Sequence, residues 1–235
     1  MRYHDVLRSL HGGLVVSVQA EASSPLCLPA IIAAMAQAVS AGGCVGLRIN
    51  SPEHIRAVRA AVSLPIIGIY KQKTLEGQMR ITPTLAAARA CVEAGADMIA
   101  IDATSRPRLW GESLGELVAG IREVLAVPVL ADVSNVDEGV EAWRLGVDAV
   151  ATTLSGYVND PCVDALAPPD VQLVADLVQA VPIPVVAEGR YNTPELAAGA
   201  MAAGAWAVVV GSAITRPEFI ARQYVDAIAR VSRTA

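Results

Sequence analysis

The chain has 235 residues, a length that one α/β barrel commonly fills undivided and that can bury a large core without disulfide or metal staples. Hydrophobic residues make up 54% of it and aromatics only 4%, so the core must be filled by Ala, Val, Ile and Leu, as in a parallel sheet covered by Ala-rich helices. A formal net charge of −5 argues against a nucleic-acid binder, which usually carries a basic surface.

In chain order, the N-terminus Met1-Arg2-Tyr3-His4-Asp5 lacks the apolar region of a signal peptide, and a cytoplasmic protein is expected. The most apolar stretch, residues 26–39, is interrupted by Pro29 and Gln37 and is too short to span a bilayer, so it reads as a buried helix with no membrane partner. Apolar runs of about five residues recur between Ala-rich segments long enough for helices, the alternation of βα units. Eight such runs occupy 13–18, 44–49, 65–70, 97–101, 128–131, 148–152, 184–187 and 206–210. Ser51-Pro52, Thr82-Pro83, Thr193-Pro194 and Arg216-Pro217 each put proline at an expected first helical position, and in three of them Ser or Thr can cap the helix. Gly95, Gly146 and Gly204 stand where a helix ends and a strand follows, because glycine tolerates the left-handed closing turn. Pro65, Pro128 and Pro184 lead into three other strands, where proline has no donor to lose. Eight strands with eight intervening helices imply a closed (β/α)8 TIM barrel, with residues 1–235 as a single catalytic domain. The rival, a doubly wound open sheet, would have fewer strands and a dinucleotide fingerprint, and the chain has no GxGxxG.

Cys27, Cys44, Cys91 and Cys162 form no CxxC pair and are expected as small core residues in a reducing cytosol. His4, His11 and His54 fall before the first strand or inside a helix, so they read as surface residues and indicate no zinc site.

The strands stay apolar until their last residue or the one just after it. There the chain places Gln19, Arg48, Lys71, Asp102, Asp132, Thr153, Glu188 and Gly211. Barrel active sites are built at the C-terminal face from strand ends and the loops that follow them, so this set reads as the lining of one mouth. A structural alternative for single members is an ion pair capping the barrel layers, such as Arg48 with Asp102. Asp102, Asp132 and Glu188 offer oxygen ligands for Mg2+, but Arg48 and Lys71 would compete for them, so no metal is assigned. The phosphate signal is clearer. The seventh strand ends in Glu188-Gly189-Arg190 and the eighth in Gly211-Ser212, followed by Thr215-Arg216. Loops after strands seven and eight with a short helix form the usual phosphate cradle of such barrels. Gly189 and Gly211 let backbone N–H groups approach the anion, Ser212 opens the helix, and Arg190 and Arg216 add charge-assisted bonds.

Acid–base chemistry at such a mouth falls to Lys71, Glu188, Asp102 or Asp132. A lysine beside a cation, or partly desolvated, loses proton affinity and can take a proton from a carbon next to a carbonyl. A carboxyl on the other side of the substrate could move the matching proton. Lys71 could equally form a Schiff base with a carbonyl substrate. These readings are not separated by the residues alone.

The chain resembles the N-acetylmannosamine-6-phosphate 2-epimerases of bacterial sialic acid breakdown over essentially its whole length. The carriers include Gly46-Leu47-Arg48, Gly68-Ile69-Tyr70-Lys71, Asp102-Ala103-Thr104-Ser105-Arg106-Pro107, Thr152-Thr153-Leu154-Ser155-Gly156-Tyr157 and Ala187-Glu188-Gly189-Arg190. The resemblance implies a reaction without external cofactor, in which C2 of the open-chain sugar phosphate is deprotonated and reprotonated on the other face. It implies Lys71 as the C2 base and Glu188 as its catalytic partner, with Gln19, Arg48, Asp102, Asp132 and Thr153 on the substrate. It implies Gly189, Arg190, Gly211, Ser212 and Arg216 on the phosphate, and a homo-oligomer, at least a dimer, through the segment 218–231. The chain departs from the family after the lysine, where Arg-Asp is usual and Gln72-Lys73 stands here, followed by Thr74-Leu75-Glu76-Gly77-Gln78. It also departs after Asp132, where Val133-Ser134-Asn135 replaces Cys or Ile and then Ser-Thr. The segment 159–169, with three prolines, carries no reading. Rival functions are a Schiff-base aldolase, a ribulose-phosphate-type epimerase, which usually needs histidine ligands, and a non-catalytic sugar-phosphate sensor.

Overall fold

A computed structural model of the protein describes residues 3–108, 111–158 and 164–232. Helix α1 (Tyr3–Leu10) leads into β1 (Leu14–Val18), α2 (Pro29–Ala41), β2 (Gly46–Asn50), α3 (Pro52–Ala61) and β3 (Ile66–Ile69). A hairpin of β4 (Lys71–Lys73) and β5 (Met79–Ile81) precedes α4 (Leu85–Glu93) and β6 (Met98–Asp102). Then come α5 (Leu114–Gly120), β7 (Val129–Asp132), α6 (Val136–Arg144), β8 (Ala149–Ala151), α7 (Val171–Ala180) and β9 (Val185–Glu188). The chain continues through α8 (Pro194–Ala202), β10 (Ala207–Val210), the short α9 (Ser212–Thr215) and α10 (Pro217–Ser232). Eight parallel strands close a barrel in the order β1-β10-β9-β8-β7-β6-β3-β2, so each expected apolar run is a barrel strand to within two residues.

Successive strand residues point to opposite faces, and the two faces bury different cores. Outward residues such as Val16, Leu47, Ile49, Ile99, Ala131, Val150 and Val208 join the layer between barrel and helices. Inward residues Val15, Ile67, Ile69, Met98, Ala100, Leu130, Ala149, Val186 and Val209 fill the barrel's interior, together with Val6 and Leu10 of α1. That helix closes the end opposite the strand C-termini. Gly46 makes room for it, since a Cβ there would lie 2.5 Å from Leu10 Cδ2. The Trp206 indole N–H donates to Leu7 O at 2.8 Å and fastens the closure.

Local signals explain most boundaries. Ser51 and Thr193 accept from the N–H groups of His54 and Leu196, and proline occupies the first turn of α3 and α8 as expected. Gly95, Gly146 and Gly204 all have left-handed φ at the ends of helices. Pro65, Pro128 and Pro184 precede their strands and give only carbonyls to the ladder, accepting from Leu47, Ile99 and Val150. One start differs. The sequence places a helix at Thr82-Pro83, but α4 begins at Leu85 under Thr84, whose hydroxyl accepts from Ala87 N–H. Thr82 instead closes the β4–β5 hairpin, its Oγ1 accepting from Tyr70 N–H at 3.0 Å. The hairpin itself has no sequence expectation behind it. The helix within 26–39 runs from Pro29 to Ala41 and buries one side only, through Ile32 and Ala36.

Cys44 and Cys91 are buried core residues, Cys27 is half-buried, and Cys162 lies outside the described residues. Burial pushes the Cys91 thiol up to about 12. His11 is exposed and packs on Trp206, with ring centroids 4.0 Å apart. His54 is half-buried with Nδ1 3.1 Å from Asn50 O, while the His4 side chain lies outside the described residues. No helix among the described residues is long and apolar enough to cross a membrane.

Candidate active site

At the strand C-termini the inward positions turn polar. Arg48, in the middle of β2, is 1% exposed and forks onto Asp132 at the end of β7, with Nη1–Oδ1 at 2.9 Å and Nη2–Oδ2 at 2.6 Å. Its Nη1 also meets Glu188 Oε2, from the end of β9, at 2.6 Å. Arg48 therefore pairs with Asp132 and Glu188, not with Asp102. Desolvation opposes its charge, but the two carboxylates outweigh that and raise its pKa. Its Nε finds no partner among the described residues. Thr153, just past β8, has one hydroxyl proton and two carboxylates in reach, Asp132 Oδ1 at 2.6 Å and Glu188 Oε2 at 3.2 Å. Burial pushes the Glu188 carboxyl up to about 7, and Asp132 adds to the effect while Arg48 opposes it.

Lys71 opens β4 directly after β3, and Asn50 at the end of β2 holds its backbone there, accepting Lys71 N–H at 2.9 Å. Burial, then the charges of Arg48 and Arg216, pull the Lys71 ammonium down to about 8 against the pull of Glu188 and Glu21. A half-buried amine near 8 and a half-buried carboxyl near 7 thus face one cleft, each able to change protonation near neutral pH. Gln19 donates to Ser17 Oγ at 2.6 Å on the β1 side.

The remaining expected residues sort into two places. Gly189 and Arg190 have consecutive left-handed φ values of 112° and 61°, which turn the backbone after β9 into the cleft. The Arg190 guanidinium itself donates to Ser155 O at 2.8 Å and Pro168 O at 3.2 Å and lies over the Tyr157 ring, so its charge braces the loop after β8. Gly211 sits against β1, where a Cβ would lie 3.3 Å from Ser17 Cβ. Ser212 and Ala213 open α9, and their N–H groups have no acceptor within the helix. Thr215 Oγ1 donates to Ser17 O at 3.0 Å and ties this turn to β1. Arg216 ends it and meets Glu21 at 2.7 Å. Asp102 stands apart from the floor. Its Oδ1 accepts from Thr104 N and Oγ1, at 3.1 and 2.6 Å, and its Oδ2 from Arg106 at 2.5 Å, with Arg80 Nε 4.0 Å away.

Two cavities occupy this face. One of about 230 Å³ lies against Gly189, Arg190, Gly211, Ser212 and Arg216; the other, about 750 Å³, lies against Arg48, the β4–β5 hairpin and Arg106. They share Gln19, Lys71, Thr153, Tyr157 and Glu188, so they are two ends of one cleft with the titrating pair in its middle. Ser17, Tyr157, Arg80 and Arg106 also line it and were not among the expected site residues. Ser17 had a signal, since it lies opposite Arg48 in the β1–β2 register and shares its inward parity. Arg80 had none, because the hairpin carrying it follows no periodicity, whereas Arg106 stands in the 102–107 segment that carries the family resemblance. Among the described residues no group of three His, Cys, Asp or Glu side chains is placed to hold a metal ion.

Residues 32–230 match the family described as "NanE: Putative N-acetylmannosamine-6-phosphate epimerase". A Klebsiella pneumoniae protein named "Putative N-acetylmannosamine-6-phosphate 2-epimerase" is 47% identical over 218 residues, covering 93% of this chain and 90% of its own. A protein of the same name from Caldanaerobacter subterraneus is 44% identical over 225 residues, covering 95% and 94%. The solved structure of the N-acetylmannosamine-6-phosphate 2-epimerase from Clostridium perfringens superposes with a TM-score of 0.89 at 38% identity, covering 96% of this chain and 97% of that one.

Proposed function

This chain belongs to the NanE family of N-acetylmannosamine-6-phosphate epimerases, and from that premise we propose that it interconverts N-acetylmannosamine 6-phosphate and N-acetylglucosamine 6-phosphate by moving the C2 proton. The observation that carries the reading is a single cleft in which Lys71, pulled down to about 8, and Glu188, pushed up to about 7, lie between an anion cradle and a wider chamber.

The backbone turns at Gly189, Arg190, Gly211 and Ser212, with the Arg216 charge, hold the 6-phosphate; Arg190 contributes chiefly its N–H, since its guanidinium braces a loop. In the open-chain sugar the C1 aldehyde acidifies the C2 hydrogen. Neutral Lys71 takes that proton, and Glu188 exchanges the matching proton on the opposite face. The enolate charge develops close to the buried Arg48, whose field is strong in a water-poor site. Asp132 and Thr153 hold Arg48 and Glu188 in place, Gln19 reaches the sugar from β1, and Asp102 acts through the arginines it anchors. One proton leaves C2 and one returns, so the balance calls for no external cofactor.

We place the enzyme in the cytoplasm as one catalytic domain, and as at least a dimer. Helix α10 buries none of its described side chains and exposes Tyr224, Val225, Ile228 and Val231, an apolar stripe that a second copy would cover. The deciding experiment is proton NMR of N-acetylmannosamine 6-phosphate with purified protein in D2O. The N-acetylglucosamine epimer should appear with loss of the C2 proton signal; bound substrate with neither conversion nor exchange would overturn the reading.

A further inference from the structure

The wide end of the cleft finishes on two arginines that the proton transfer does not use. Arg80, on β5, is 5% exposed, yet among the described residues its Nη groups reach only Gln78 Oε1 at 3.0 Å and Met79 O at 3.2 Å, both on its own hairpin. Arg106, in the loop after β6, takes Thr104 Oγ1 with Nε at 3.1 Å and Asp102 Oδ2 with Nη2 at 2.5 Å. Asp102 is the single carboxylate within ion-pair reach of the two among the described residues, and its other oxygen is occupied by Thr104. Their neighbour Arg108 gives one bond from each nitrogen to the carbonyls of Asp102, Pro83 and Glu112 and does not line this chamber. Two guanidiniums that cannot lose their protons thus line one chamber with Asp102 in ion-pair reach behind them, while the Glu76 carboxylate, also on the chamber's lining, is exposed to solvent that screens it.

The surroundings are prebuilt. The Glu138 carboxylate accepts from Ser105 N at 2.8 Å and from Ser134 N and Oγ at 2.7 Å, clamping the residue before Arg106 to α6. Ile81, Pro107 and Leu154 supply an apolar wall beside the charges. The chamber, about 750 Å³, is far larger than an acetyl group needs. The order along the cleft also constrains what arrives there. With phosphate against α9 and C2 at Lys71, whatever C2 carries must point away from the cradle, toward Arg80 and Arg106.

We propose that Arg80 and Arg106 form the subsite for the acyl arm of the amino sugar, and that their surplus charge favours an acyl arm ending in a carboxylate over one ending in a methyl group. This rests on the epimerase reading. The guanidiniums donate to the amide carbonyl and to the terminal oxygens, while the apolar wall takes the methylene stem.

The test compares kcat/KM for N-succinyl- and N-acetylmannosamine 6-phosphate. The wild-type protein prefers the succinyl compound, and Arg80→Met lowers the succinyl-to-acetyl ratio by about tenfold, the size of one lost charge-assisted bond. Lys73→Met, which removes an exposed hairpin charge outside the cavity, leaves the ratio and the turnover as they were. Should Arg80→Met fail to fold, Arg80→Gln gives the same readout. No succinyl preference in the wild type, or a ratio that survives loss of Arg80, overturns the proposal. If the wild type binds the acetyl compound without turning it over, the epimerase reading fails, and calorimetric affinities of the two compounds still decide the subsite.

Discussion

The two ends of the barrel interior come from the same strands and the same inward parity, yet carry opposite chemistry. At the end closed by α1 the inward side chains are Val15, Ile67, Met98, Leu130 and Val186, in one cluster with Leu10. Two residues further along those strands stand Ser17, Asp132 and Glu188, four residues further stands Asp102, and Arg48 lies beside them on β2. Each large apolar group at the closed end contributes about 1.5–3 kcal/mol by leaving water. The charged set at the open end gives little net stability, because desolvation consumes most of the attraction between its members. The fold is held from one end, and the other can keep buried charges poised for chemistry.

The largest effect should follow loss of the base. Lys71→Met lowers turnover by about 10³-fold or more, roughly 4 kcal/mol of barrel-mouth chemistry. The unfolding midpoint should hold or rise, since a desolvated amine has been removed. A fall in the midpoint alongside turnover would mean that the open end supports the fold after all.

Arg48→Met attacks the same end by leaving Asp132 and Glu188 buried without their cation. Denaturant titration should show a loss of about 3–5 kcal/mol together with abolished turnover. Leu130→Ala, at the closed end, should cost a similar 2–5 kcal/mol by opening a cavity, while the surviving folded protein keeps its kcat and KM. The comparison breaks if Leu130→Ala damages kcat, or if Arg48→Met is tolerated.

The smallest effect is the pH response. Lys71 must be neutral to accept the proton, a fraction that grows as pH rises through about 8, while Glu188 keeps its proton only below about 7, so the form with both groups ready peaks between the two values. The pair should produce a bell-shaped kcat/KM profile between these apparent values. In Glu188→Gln the limb assigned to the carboxyl disappears. The remaining limb moves below about 8, because Glu188 no longer raises the proton affinity of Lys71. A wild-type profile flat across this range would show that neither group titrates in the rate-determining step.

What the chain determined by itself was local. Apolar runs of strand length, glycines that close helices at 95, 146 and 204, and Ser51 and Thr193 at helix starts depend on a few neighbouring residues, and the barrel follows from their repetition. The polar strand ends were legible for the same reason, since the residue that ends a strand points into the mouth wherever the barrel closes. Which side chain meets which was set by the closed barrel. Arg48 turned to Asp132 and Glu188, 84 and 140 residues away, and Asp102 was left to Arg106 and Arg80. Arg190 spent its side chain on Ser155 and Pro168, and Thr82 closed a hairpin where a helix was expected. A side chain's partner is set by strand register and by which loops cross the mouth. Both arise from closing the barrel and have no trace in the spacing of residues along the chain.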